Sequence, residues 1–339
     1  MEEQNRERYT TERPLSSRDA TSPSSRPPDE IYDRQPASPQ RRSASLVGVV
    51  LLTIGIAWLL VRFAGDLMPV ASSRATLVDQ TVGGRRIEID AVSADVTILR
   101  WDRPEFRVQA ERTGWSIGTI DVSVGVDNET VRVAHRTTCR FFCGGLRYQI
   151  TAPTTADIRV ATANGDVQIE AIDGDVTVET TSGDVRLDAI GGALTVETVS
   201  GDVTLRNGRV RRARVETISG DVNLGGVRGP LEATSISGDI SVRDVVEGPV
   251  EVNTTSGRIS GAGALSVDLS LSSVSGDVRL DLPVDTGFRV SIQTISGDID
   301  APGLRGGGRR SEWSATLGDG AHTVNITTTS GDVRIRQEG

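Results

Sequence analysis

Ser182-Gly183-Asp184-Val185 is a phrase the chain writes again as Ser200-Gly201-Asp202-Val203, Ser219-Gly220-Asp221-Val222 and Ser237-Gly238-Asp239-Ile240. It returns at Ser275-Gly276-Asp277-Val278, Ser296-Gly297-Asp298-Ile299 and Ser330-Gly331-Asp332-Val333, with the variants Asn164-Gly165-Asp166-Val167 and Ser256-Gly257-Arg258-Ile259. From Gly165 the glycines step by 18, 18, 19, 18, 19, 19 and 21 residues, and a last gap of 34 carries an insertion. A fixed period in this range is the signature of a solenoid, in which each repeat is one supersecondary unit stacked on its neighbours.

Within a period the pattern halves. Gly174-to-Ser182 (GDVTVETTS) is followed by Gly183-to-Gly191 (GDVRLDAIG), Gly192-to-Ser200 (GALTVETVS) and Gly201-to-Arg209 (GDVTLRNGR). Each half carries apolar residues two apart, as in Val176 and Val178, Val185 and Leu187, or Val203 and Leu205. That spacing puts both on one face of a short strand. Each half begins at a Gly-containing turn, and Gly supplies the positive φ that tight reversals need. The expected fold class is all-β, a parallel β-solenoid of 18–19-residue coils over residues 156–339; a sandwich stays open. Pro230, Pro249, Pro283 and Pro302 fall near half-repeat junctions, where a missing N–H does no harm. A single coil buries too few aliphatic side chains to offset the entropy of ordering it, so only the array is stable.

Composition agrees with a thin aliphatic core. Of 339 residues, 37% are hydrophobic but only 4% aromatic, and every basic residue is Arg. The net charge of −9 sits almost wholly on the repeats. An acidic array lacks the clustered cations that phosphates require, so nucleic acid is excluded as a partner. Two cysteines and two histidines are too few for a metalloenzyme or a disulfide scaffold, and no cofactor is expected.

Upstream of the repeats the chain changes character three times. Residues 1–42 are rich in Ser, Pro and Arg and are expected to form a disordered cytoplasmic tail. Ser43–Val61 is an uncharged run of 19 residues, roughly 28 Å long as a helix against a hydrocarbon core of ~30 Å. We assign 43–63 to one transmembrane helix. Arg34, Arg41 and Arg42 before it, against Arg62 and Arg74 after it, put the N-terminus in the cytoplasm and the repeats outside. Residues 64–84 read as a linker. Period-two alternation then begins: Arg86–Asp90, Asp95–Leu99, Phe106–Ala110, Asp121–Val124 and Thr130–Val133 read as strands, with a turn at Asp127-Asn128. Residues 85–155 are therefore an irregular N-terminal β cap, needed because an open coil exposes unpaired strand edges.

Two constellations invite chemistry. Stacking would place Asp166, Asp184, Asp202, Asp221 and Asp239 in one column about 4.8 Å apart. Bound calcium would offset their repulsion, but in calcium-binding repeats the Asp lies elsewhere relative to paired glycines. Arg258 also interrupts the column. The mismatch favours carboxylates that accept backbone N–H bonds in their own turns. Cys139 and Cys143, with His135 four residues upstream, have helical metal-ligand spacing in a strand-and-loop context. Outside the membrane a local disulfide fits them better than free thiols or a metal. No catalytic, cofactor-binding or metal residue is assigned. The sequons at Asn128, Asn253 and Asn325 carry little weight.

The iterated Ser-Gly-Asp-Val/Ile phrase resembles the bacterial putative-adhesin family of β-strand repeat proteins of unknown function. The opening Ile87-to-Leu99 strands, the Tyr148-to-Pro153 run and the closing Thr328-Thr329-Ser330-Gly331-Asp332-Val333 look like that family too. The resemblance covers about residues 85–337. It implies a membrane-anchored envelope protein with an extracytoplasmic β-solenoid acting in adhesion or envelope maintenance, and it brings no catalytic residues. The expected function is a non-enzymatic adhesin or envelope interaction scaffold on a single-span anchor, with an extracytoplasmic protein or glycan as ligand. The rival is envelope-stress signalling through the cytoplasmic tail. A polysaccharide-active β-helix enzyme ranks third, because the carboxylates recur with every coil and none forms an unrepeated cluster.

Overall fold

The computed structural model describes residues 75–338, apart from 115–118, 139–143, 303–305 and 310. The expected tail 1–42 and span 43–63 lie outside the described residues. Among those described, no helix is long and apolar enough to cross a membrane.

The described chain is all strand and turn. The cap holds β1 (Ala75–Gly83), β2 (Arg86–Trp101), β3 (Glu105–Thr113), β4 (Ile120–Asp127), β5 (Thr130–Thr137) and β6 (Gly145–Pro153). The regular coils follow as pairs: β7 (Asp157–Asn164) with β8 (Val167–Glu170), β9 (Val176–Ser182) with β10 (Val185–Asp188), and β11 (Ala193–Ser200) with β12 (Val203–Arg206). Next come β13 (Arg212–Ser219) with β14 (Val222–Val227), β15 (Leu231–Ser237) with β16 (Ile240–Val246), β17 (Val250–Ser256) with β18 (Ile259–Ser266), and β19 (Leu269–Ser275) with β20 (Val278–Pro283). The chain closes with β21 (Phe288–Ser296), β22 (Ile299–Asp300), β23 (Gly306–Arg309), β24 (Glu312–Leu317), β25 (His322–Ser330) and β26 (Val333–Glu338).

Each strand of a regular coil pairs, parallel and in register, with its equivalents one coil before and one coil after. Val178 faces Val196 and Val160 on one sheet, while Leu187 faces Leu205 and Ile169 on the other. Sheet I carries β7, β9, β11, β13, β15, β17 and β19; sheet II carries β8 to β20 in even steps. This settles the solenoid against the antiparallel sandwich. The inward positions are those expected: Val176, Val178, Val185 and Leu187 are at most 2% exposed. The Ser-Gly-Asp turn joins sheet I to sheet II. In the return turn the left-handed position is not reserved for glycine: Ala171, Ala189, Asn207 and Asp244 take positive φ there, at a local strain of order 1 kcal/mol each, while Gly226 and Gly263 take it in other coils.

The ends do not follow chain order. β2 is one continuous strand of 16 residues whose first half lies in sheet I and whose second half lies in sheet II. Its inner neighbours are β7 and β8, and its outer neighbours are β5 and β6, which come later in the chain. At the far end β25 and β26, the last strands written, pair directly with β19 and β20. β21 and β22, written earlier, sit outside them. The glycine column runs in the same permuted order: a Cβ on Gly331 would strike the Gly276 carbonyl, and one on Gly297 would strike the Gly331 carbonyl. Ladder length explains the choice. β26 meets β20 over six residues, Val278↔Val333 to Pro283↔Glu338, whereas β22 offers two. The interior slot, paired on both edges, goes to the longer strand.

Antiparallel strands close both ends. β4 covers β5 through a tight turn in which Asn128 and Glu129 have φ of 46° and 64°, as a type I′ hairpin requires. β3 covers β6, and β1 covers β3. β24 and β23 do the same for β21. Residues 75–83, read from the sequence as linker, thus form a strand. Their alternation is broken by adjacent Leu77 and Val78, where the register shifts, so period-two reading passes over them. A fork from Arg107 to Asp79 (2.9 and 2.8 Å) and a third bond from Gln109 (3.1 Å) pin β1, and they hold the Asp79 carboxyl down at about 2. Aromatic residues are confined to the ends as well. Between Tyr148 and Phe288 there is none, and Phe106, Tyr148 and Phe288 are fully buried where the repeating cross-section stops.

Candidate interaction groove

The sequence pointed first to the aspartate column. The backbone N–H of Asp184 donates to Asp166 Oδ1 at 3.0 Å, Asp202 to Asp184 at 3.1 Å, Asp221 to Asp202 at 2.9 Å and Asp239 to Asp221 at 2.9 Å. The carboxylates therefore cap the next coil's turn rather than their own, because the parallel stack brings that N–H within reach. Arg186 bridges Asp166 and Asp184 (3.6 and 2.6 Å), and Arg258 turns its guanidinium onto Asp239 at 3.2 Å. Among the described residues no group of His, Cys, Asp and Glu could hold a metal ion. Asp202→Ala should lower stability by about 0.5–1.5 kcal/mol, the worth of one hydrogen bond, and Asp202→Asn by less, since its carbonyl still accepts. Thermal unfolding checks this. Millimolar calcium should leave the midpoint unmoved, and a strong chelator-reversible rise would restore the metal reading.

His135 sits half-buried on β5 beside the ring of Tyr148. Its Nδ1 lies 3.2 Å from the Tyr148 hydroxyl, and burial pushes its pKa down. Cys139 and Cys143, with the disulfide expected of them, lie outside the described residues.

A surface feature emerges instead on the outer face of sheet I. Just before three successive Ser-Gly-Asp phrases the chain repeats Glu-Thr-x-Ser: Glu179-Thr180-Thr181-Ser182, Glu197-Thr198-Val199-Ser200 and Glu216-Thr217-Ile218-Ser219. Alternation turns the Thr inward and the Glu and x outward. Register stacks Asp90, Ala161, Glu179, Glu197, Glu216 and Thr234 in one column. A second outward column, two residues on, carries Val199, Ile218 and Ile236, which are 43–50% exposed. Between the columns runs a groove of about 650 Å³. Arg159 pairs with Glu179 at 2.5 Å, and Arg214 pairs with Glu216 and, at 2.7 Å, with Glu232, so both guanidiniums sit beside the groove rather than in it. The hydrogen bond from Arg214 to Glu216 is the main cause that raises the Arg214 pKa; Glu197 adds only a little to that field and has no ion pair among the described residues. Thr180, Thr198 and Thr217 belong to a buried hydroxyl column from Thr162 to Thr328. Thr180 leans to the Ser182 carbonyl at 3.4 Å, while Thr198 and Thr217 have no hydrogen-bond partner among the described residues.

Reading only the Ser-Gly-Asp phrase passes over this groove. The signal lay just upstream, in Glu179, Glu197 and Glu216, each three residues before the Ser, and in Val199, Ile218 and Ile236, each one residue before it.

Nothing in the arrangement resembles a reaction centre: the carboxylates stand in a row, without a nucleophile, base and oxyanion donor converging on one point. Three comparisons with known proteins bear on the chain. No curated protein matches its sequence. Among solved structures, a putative adhesin from Bacteroides fragilis is 15% identical at a TM-score of 0.40, and one from Parabacteroides distasonis is 10% identical at 0.39; each alignment covers 78% of this chain and 98% of the other. A putative cell adhesion protein from Clostridium sporogenes is 11% identical at 0.22, over 78% and 100%. Likeness at that level does not reach to a ligand. The family model is a different matter, since it matches residues 84–264 and again 262–336, nearly the whole described solenoid. The chain belongs to the Toastrack DUF4097 family.

Proposed function

We propose that the protein is a non-enzymatic interaction scaffold of the cell envelope, held in the membrane by residues 43–63 with its solenoid outside the cytoplasm. The observation that carries the binding role is the groove on sheet I, where repeats that need only an inert outer face instead align exposed Val199, Ile218 and Ile236 beside a carboxylate row. The anchor rests on the uncharged Ser43–Val61 run and the arginines before it. A solenoid suits such a task, because stacked repeats present an extended, regular binding surface.

Cell fractionation of the full chain, followed by cross-linking and capture of envelope material, tests the proposal. The chain should sediment with membranes and leave them when residues 43–63 are deleted. Capture should survive deletion of residues 1–40. A soluble full chain, or capture that vanishes with the tail, would overturn it, and the latter would favour signalling.

A further inference from the structure

We infer that the sheet I groove takes a cationic amphipathic helix of a partner protein, laid along the solenoid axis with its basic row on the glutamates and its apolar row on the aliphatic ridge. The inference rests on the scaffold reading above and names the occupant.

Charge decides the sign of the partner. Glu179, Glu197 and Glu216 stack on adjacent parallel strands, about 4.8 Å from one to the next, and no Arg, His or aromatic residue lines the groove. An anionic polymer or an anionic lipid surface meets repulsion there. A sugar finds no aromatic face to stack on. A second copy of this chain, face to face, would set glutamate row against glutamate row. Arg159 and Arg214 already pair with Glu179 and Glu216 from beside the groove, so the carboxylate left for an incoming cation is Glu197, at the centre of the row and without an ion pair among the described residues.

The ridge decides that the cation must come with apolar surface. Val199, Ile218 and Ile236 lie one per coil, two residues along the strand from the acidic column, hence roughly 6.7 Å to its side. The ligand must therefore present two parallel rows, one charged and one aliphatic, each repeating at the coil spacing.

Rise decides the conformation. An α-helix offers one side chain per turn along a given row, at about 5.4 Å, against about 4.8 Å per coil. Over four coils the two fall out of step by roughly 2.4 Å, which flexible Lys or Arg side chains absorb. An extended strand repeats on one face every ~6.7 Å and loses step by about 2 Å at each coil. The helix matches and the strand does not; docking is then of the helix-in-groove kind, with basic anchors beside apolar ones.

The test uses the full chain in detergent and a synthetic amphipathic helix of about 18 residues built from Lys and Leu, roughly the length that spans the groove. Its counterpart carries Glu in place of Lys. The basic peptide should bind, gain helical circular dichroism and weaken as salt rises, while the acidic peptide should not bind. The triple variant Glu179→Gln/Glu197→Gln/Glu216→Gln keeps side-chain volume and should weaken binding by about tenfold or more. Ile218→Ser/Ile236→Ser, checked for an unchanged thermal midpoint, should do likewise. A variant losing three carboxylates elsewhere, Glu170→Gln/Glu247→Gln/Asp281→Asn, should bind within about twofold of the parent. Equal loss in that control would mean attraction to net charge alone and would overturn the inference, as would failure of the basic peptide to bind. If envelope material is still captured when the peptide fails, the occupant is wrong and the scaffold stands; if both fail, both readings fall.

Discussion

Gly201→Val is expected to break the solenoid in the middle. Gly201 has φ of 146°, a region closed to residues with a Cβ, and a Cβ there would collide with the Gly183 carbonyl of the coil below. The backbone cannot retreat, because the Gly183 N–H bonds the Ser200 carbonyl at 3.1 Å and the Gly201 N–H bonds the Ser219 carbonyl at 3.1 Å. The same collision awaits at Gly220 and Gly238, so the turn column is a stack of peptide units with no room for side chains. Strained φ alone costs about 1–3 kcal/mol, and the clash adds to it, so the loss should exceed roughly 4 kcal/mol. A repeat array is coupled through nearest neighbours, so hydrogen exchange should rise first in the coils flanking residue 201. Gly125→Ala is the contrast: nothing lies within 4 Å of a Cβ there, and its effect should stay within about 0.5 kcal/mol. Chemical unfolding of the two variants decides the matter. Similar midpoints would show that the phrase's glycine is dispensable.

The second large effect concerns the swapped end. Ending the chain after Leu317 removes β25 and β26, which fill the slot between β19–β20 and β21–β22. β21 then keeps only its hairpin partner β24, and β22 has nothing to pair with. An isolated hairpin is marginal in water. Residues 284–317 should therefore be cut away by protease within the time that 86–283 stays protected. A chain ended after Pro283, though shorter, should unfold at the same midpoint as the chain ended after Leu317. Protection of residues 288–300 in the longer form would mean that β21 slides into the vacant slot, and the view that ladder length decides the order would be wrong.

The repeat itself was legible because its causes are local. Val185 and Leu187 face inward, Gly183 turns and Asp184 caps in ways that a few neighbouring residues dictate. Only the identity of the capped turn was misplaced: the N–H that Asp184 accepts belongs to Asp202, 18 residues away, and local reading assigned it to the same turn. β1 escaped notice because its bulge destroys the alternation that identifies a strand. The groove escaped because the Glu-Thr-x-Ser offset gains meaning only once register has stacked Glu179, Glu197 and Glu216.

The sequence by itself determined the 18–19-residue period and the two inward-alternating strands of each coil, since both are properties of a coil and its neighbour; parallel register, which only the stacked structure shows, settled the solenoid against a sandwich. Tertiary structure alone decided which coil lies next to which at the two ends. Near-identical repeats are interchangeable as sequence, so β22 and β26 compete for one slot, and the competition is settled by how many ladder bonds each can make with β20. It also decided what the outer face offers a partner, because a column exists only after stacking.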